Sequence, residues 1–183
     1  VKADAYGHGL ARICEVLSEA EVLAVATTGE AAMCRKHGWL GRLLLLEGPS
    51  NVAEFEEMVA LNAETVVHHE TQLQLLRHRR KDVNQALWLK IDTGMHRLGF
   101  PAADARAVFA ELEKLRSKRP TILMTHFACA DDVANPMSLL QIQRFEEATM
   151  GLPGSCSLAN SAGMLNFPQS QREYVRPGIM LYG

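Results

Sequence analysis

Two lysines stand where buried strands would end. Lys2 lies in Val1-Lys2-Ala3-Asp4-Ala5-Tyr6-Gly7-His8-Gly9, and Lys90 in Leu89-Lys90-Ile91-Asp92-Thr93-Gly94-Met95-His96-Arg97-Leu98-Gly99. An ammonium group is costly to desolvate, so such a lysine either snorkels to water or falls in pKa towards a neutral, nucleophilic amine. The neutral amine can form a Schiff base or take a proton from carbon. For either lysine alone, snorkelling is the commoner outcome. Three more places put polar groups just after an apolar run: Thr125-His126-Phe127, Asn160-Ser161-Ala162 and Arg176-Pro177-Gly178-Ile179. Singly, each has a plain structural reading. Tyr6–Gly9 is a loop with two glycines at positive φ, Asn160 and Pro177–Ile179 are strand-to-helix caps, and His126 is a hydrogen-bonded core histidine. Together, a strand lysine, two small loops offering backbone N–H groups, a tyrosine and two strand-end arginines describe a site for a phosphorylated aldehyde cofactor.

The elements that must position these residues alternate along the chain. Short apolar runs at Val1, 22–26, 43–46, 65–68, 86–91, 121–126, 155–158 and 175–181 read as strands covered on both faces. Between them, helical spacing runs over 10–19, 30–37, 52–61, 70–80, 102–118 and 137–150, with Gly38 as a C-cap, Pro101 at a helix start and Pro120 as a stop. Strand signals alternating with helices predict a parallel α/β fold, and eight of them predict a (β/α)8 TIM-type barrel. A barrel usually takes about 250 residues, and this chain has 183. The shortfall, the start at Val1 and the end on Leu181-Tyr182-Gly183 lead us to expect a fragment bounded by its own motifs. A doubly wound sheet is the alternative, but no G-x-G-x-x-G follows a strand and no Walker loop is present.

Composition narrows the class. Nineteen basic against twenty-one acidic residues give a net charge of −2, which offers no electrostatic case for nucleic acid or an anionic membrane. No run reaches the roughly 20 apolar residues of a membrane span. The four cysteines, Cys14, Cys34, Cys129 and Cys156, are far apart and form no C-x-x-C, so we expect a reducing, cytoplasmic setting and no metal ribbon. His68-His69 lacks a third ligand at metal spacing.

These motifs resemble those of the alanine racemase family. The run Val1–Gly9 is similar to its pyridoxal-phosphate attachment motif, and Lys90–Gly99 to a second signature. Thr125-His126-Phe127-Ala128, Asn160-Ser161-Ala162 and Val175-Arg176-Pro177-Gly178-Ile179 resemble three more, in the same order, so the resemblance covers residues 1–183 as one cofactor-binding domain. It implies a pyridoxal 5′-phosphate enzyme, a homodimer that racemises alanine through two bases. Lys2 would attach the cofactor and serve as one base. Tyr6, Ser161 and the backbone at Gly178 and Ile179 would hold the phosphate, with Asn160 beside it. Arg97 would contact the cofactor's phenolic oxygen and the substrate carboxylate. Arg176 would face the pyridine nitrogen with His126 behind it, and Lys90 matches a lysine carbamylated in some members.

The resemblance also implies a barrel truncated at its N-terminus and lacking a C-terminal β-domain. That domain would supply the second base, a tyrosine reaching into the partner subunit's site, so the fragment alone is expected to be inactive. Three other readings compete. A broader amino-acid racemase of the same fold would carry the same barrel motifs. A single-domain pyridoxal-phosphate carrier without catalysis would suit the length, but its motifs differ from Val1–Gly9 and Tyr174–Ile179. A metal-dependent barrel hydrolase would need a His and Asp pair after a common strand.

Overall fold

Short Val, Leu and Ile runs become parallel strands and the segments of helical period become helices in the computed structural model, which describes residues 1–79, 84–115 and 119–183. Two units form, Val1–Leu87 with Ser117–Arg119 and Trp88–Arg116 with Pro120–Gly183.

The first unit runs α1 (Lys2–Tyr6), α2 (Leu10–Val16), β1 (Val22–Val25), α3 (Thr28–Lys36), β2 (Arg42–Leu45), α4 (Val52–Ala60), β3 (Glu64–Val67) and α5 (Glu70–Arg79). Val22 pairs with Arg42 and Val25 with Leu45, and Leu44 pairs with Glu64, all in parallel. Every residue of β3 is buried, including Glu64. Its carboxylate is tolerated there because Arg42 grips it with Nε at 2.6 Å and Nη2 at 3.0 Å. Thr27 and Asn51 cap α3 and α4 by accepting from the N–H groups of Glu30 and Glu54.

The second unit runs β4 (Leu87–Asp92), β5 (Phe100–Pro101), α6 (Ala105–Leu115), β6 (Ile122–Met124), α7 (Met137–Thr149), β7 (Cys156–Asn160), α8 (Ser161–Asn166) and β8 (Tyr174–Arg176). Lys90 pairs with Met124, Met124 with Ser157, and Asn160 with Arg176. The two-residue β5 lies beside the end of β4. In each unit the long strands follow one another in chain order, β1-β2-β3 and β4-β6-β7-β8. A doubly wound sheet reverses its order at a switch point, whereas a barrel adds strands in sequence. The units show the barrel pattern.

Three expectations change. Val1 is not part of a regular strand; its ammonium donates to the Ala24 carbonyl at 2.7 Å, and the chain then turns at once into α1. The apolar run 175–181 holds a strand only to Arg176, because Pro177 has no N–H for a ladder, and Ile179–Leu181 forms a 3-10 turn. The helix expected over 102–118 begins with a 3-10 turn at Ala102–Asp104 and is α-helical to Leu115. Residues 116–118 of that expectation lie outside the described residues, as does Arg80 of the one over 70–80. Among the described residues no helix is long and apolar enough to cross a membrane.

Candidate functional site

Lys2 opens a turn of the wrong hand. Ala3, Asp4, Ala5 and Tyr6 have φ between 50° and 56°, and Gly7 follows at 87°. For residues with a Cβ this left-handed helical geometry costs roughly 1–2 kcal/mol each, so the turn must be held from outside. Gly7 and Gly9 donate backbone bonds to Asp4 at 3.1 and 3.0 Å, and Ala5 to Val1 at 3.0 Å. The Asp4 carboxylate accepts from Leu10 N–H at 2.7 Å, tying the turn to α2. Ala5 is the one side chain of the turn that is buried. Lys2 is left exposed, with Nζ 5.3 Å from the centre of the Tyr6 ring, a cation–π distance. Backbone strain of this kind persists where the surroundings over-determine it, commonly at a functional site.

In the second unit, the ends of β4, β6, β7 and β8 assemble a cationic node. Arg176 donates to the Ser157 hydroxyl, to the carbonyls of Thr125 at 2.5 Å and Leu158 at 3.1 Å, and lies 3.4 Å from His126 Nδ1. A guanidinium has only donors, so Nδ1 of His126 must accept. Burial lowers the Arg176 guanidinium to about 10, which still leaves it charged at neutral pH. Lys90 is buried on β4. Burial first, then the positive charges of Arg97 and Arg176, bring its amine down to about 8 against the opposing pull of Asp92. A short turn presents Arg97: Asp92 accepts from Gly94 N–H at 2.9 Å and His96 N–H at 3.0 Å, and meets His96 Nδ1 at 3.0 Å. Beyond β7, the Ser161 hydroxyl receives the N–H groups of Gly178 at 2.9 Å and Met180 at 3.4 Å.

Residues 1–183 match the family model described as alanine racemase, N-terminal domain. The chain belongs to the alanine racemase family. An alanine racemase of Shewanella sediminis is 45% identical over 184 residues, covering all of this chain and 51% of that protein. The crystal structure of the biosynthetic alanine racemase from Pseudomonas aeruginosa superposes with a TM-score of 0.94 at 39% identity, again over the whole chain and 51% of that one. An alanine racemase of Clostridium difficile in complex with cycloserine gives 0.86 at 27%. This chain thus spans about half the length of the relatives it matches. With such neighbours the fold is that of the family's N-terminal domain, parallel strands alternating with helices in the (β/α)-barrel manner.

Against that family background, the second unit brings Lys90, Arg97, His126, Asn160, Ser161, Arg176, Gly178 and Ile179 to consecutive strand ends, while Lys2 and Tyr6 share the left-handed turn of the first. Asn160 has a local task, since its side-chain oxygen caps α8 by accepting from Gly163 N–H at 2.9 Å. Sequence reasoning missed the residues that hold these groups. Gln141 of α7 is fully buried and bonds the Thr93 hydroxyl, the His126 carbonyl and the Ala128 N–H. Nothing in its helix pattern marks it except a polar residue on a buried face. Glu30 was findable in part, because Thr27-x-x-Glu30 is a capping-box pattern.

Proposed function

We propose that this chain is the pyridoxal-phosphate-binding barrel domain of an alanine racemase, working as a homodimer that interconverts L- and D-alanine by a two-base mechanism. The observation that carries the reading is Arg176, a half-buried guanidinium fixed on three acceptors and His126 at the strand ends. The residues present suit the cofactor. Gly178 and Met180 aim N–H groups at the Ser161 hydroxyl, and hydroxyl and N–H groups together are donors that a phosphate oxygen could take over, with the Ile179 backbone adjoining; the resemblance assigns Tyr6 to the same phosphate. Asn160 lies next to that set as the α8 cap.

When bound, pyridoxal phosphate supplies an electron sink that acidifies the Cα–H of an attached amino acid. Lys2 Nζ would hold the cofactor and would also be the group that takes or returns the Cα proton on one face. A second base serves the other face. Arg176 would face the ring nitrogen and keep its own proton, because a guanidinium deprotonates only far above working pH. It would therefore limit how much charge the ring can draw, which favours returning the proton to Cα over side reactions. Arg97, on its turn, would pair with the substrate carboxylate, and its charge also acts on Lys90. In the cell the product D-alanine would enter peptidoglycan, or the enzyme would consume it, in the cytoplasm.

Borohydride reduction of the full-length holoenzyme followed by peptide mapping tests the assignment. We expect the pyridoxyl adduct on Lys2 and conversion of L- to D-alanine before reduction. An adduct on Lys90, or no conversion, would overturn it.

A further inference from the structure

Glu30, on the first turn of α3, reaches out of its helix with both carboxylate oxygens. Oε1 accepts from Ala3 N–H at 2.6 Å and Oε2 from Ala26 N–H at 2.7 Å. Ala26 is the first residue beyond β1, and Ala3 is the second residue after Val1, whose ammonium bonds Ala24. One carboxylate therefore bridges two chain segments, the end of β1 and the start of the left-handed turn. The peptide N–H of Ala3 belongs to the plane that also contains the Lys2 carbonyl, so the bond to Glu30 fixes the orientation of the Lys2–Ala3 peptide. It does so at the step where φ turns positive, at 54°. Hydrogen bonds to an ionised acceptor are roughly twice as strong as neutral ones, and here two of them act at the start of a strained turn. Intrahelical bonding does not require this side chain, because Thr27 already caps α3.

We propose that Glu30 is a positioning residue for Lys2: its carboxylate clamps the left-handed turn so that the lysine amine is aimed at the cofactor and the substrate Cα. This rests on the assignment of Lys2 above. Glu30→Gln keeps the shape but replaces one acceptor oxygen with an NH2 group, which cannot receive a backbone N–H. Glu30→Asp keeps the charge but is one methylene too short to span both partners, and serves as the second variant should the first not fold. Thr27→Ala weakens the same helix while leaving the clamp, and is the control.

In the full-length enzyme each Glu30 variant should lower kcat about a hundredfold, the cost of a misplaced reacting group, with KM for alanine changing less than about threefold. Cofactor-free protein gives an independent readout. Amide exchange across residues 3–10 should accelerate at least about tenfold while β2 keeps its protection, as expected of local rather than global opening. Thr27→Ala should leave both quantities near wild type. Unchanged kcat, or unchanged exchange across residues 3–10, in a folded Glu30 variant overturns the proposal. So does equal damage from Thr27→Ala. A wild-type adduct away from Lys2 would instead strike the underlying assignment, which peptide mapping reports separately.

Discussion

Lys90 should make stability depend on alkaline pH in a way that can be read by removing it. Its amine has an ordinary value of 10.5 and is brought to about 8 by burial and by Arg97 and Arg176. Unfolded, it regains the ordinary value. Well below pH 8, by about pH 7, the lysine is protonated in both states, and nearly the full cost of the buried charge is present. Between pH 8 and 10.5 the unfolded chain binds more protons than the folded one, so stability rises with pH. Above 10.5 the cost is gone. The difference corresponds to about 3 kcal/mol. Lys90→Met removes the charge and keeps most of the volume, so the variant should exceed the wild type by about that amount near pH 7 and converge on it by pH 10.5. Urea unfolding of cofactor-free full-length protein in carbon-dioxide-free buffer, at one protein concentration, measures the gap. A gap that stays constant within about 1 kcal/mol across that range would refute the argument. The same lowered pKa leaves about a quarter of Lys90 neutral at pH 7.5, available to attack carbon dioxide. The new N–C bond gives a carbamate and releases one proton from the neutral amine, two in all from the ammonium form, so that an anion replaces a cation near Arg97. Added bicarbonate should therefore narrow the gap near neutral pH by stabilising the wild type alone.

Gln141→Leu leaves the half-buried His126 carbonyl without its side-chain donor and the Ala128 N–H without its acceptor; we expect a loss of about 2 kcal/mol in chemical denaturation, and a loss below about 0.5 kcal/mol would show that water or a neighbour replaces the amide. Gly99→Ala should be worse tolerated than its size implies, because φ is +133° and the added Cβ would lie 2.7 Å from Asp92 N and 3.0 Å from Ile91 C, both backbone atoms. A destabilisation of about 3 kcal/mol or more is expected, and near-wild-type unfolding of the variant would mean that the Arg97 turn is looser than described.

The sequence carried the parallel strands well because burial on both faces leaves one signature, a short β-branched or leucine-rich run, as in Leu43-Leu44-Leu45. The same signature misleads where an apolar run is exposed. Ile179 and Leu181 extend the Tyr174–Arg176 strand in sequence, yet both are exposed and lie beyond Pro177. β5 has two residues and α8 six, too few for any period to register. The charged residues of the site were visible as polar interruptions after apolar runs. Their supports were not, since Gln141 and Glu30 act on backbone groups far away in sequence, and a backbone group has the same appearance at every residue.

The Lys2 turn marks the limit of such reading. Gly7 and Gly9 could be assigned positive φ from their type, and both have it, at 87° and 90°. Ala3, Asp4, Ala5 and Tyr6 could not, because each alone prefers the right-handed or extended regions. Their conformation is imposed by bonds from Glu30, Leu10 and the turn's own backbone. Local preference and tertiary restraint are thus opposed over four consecutive residues, at the residues that directly follow Lys2. A sequence free to relax would place the lysine at the end of an ordinary strand, where its long side chain could swing into water. Holding the following peptides in a disfavoured region fixes the backbone from which the exposed lysine projects, and the restraint lies in the carboxylates of Glu30 and Asp4 rather than in the lysine itself.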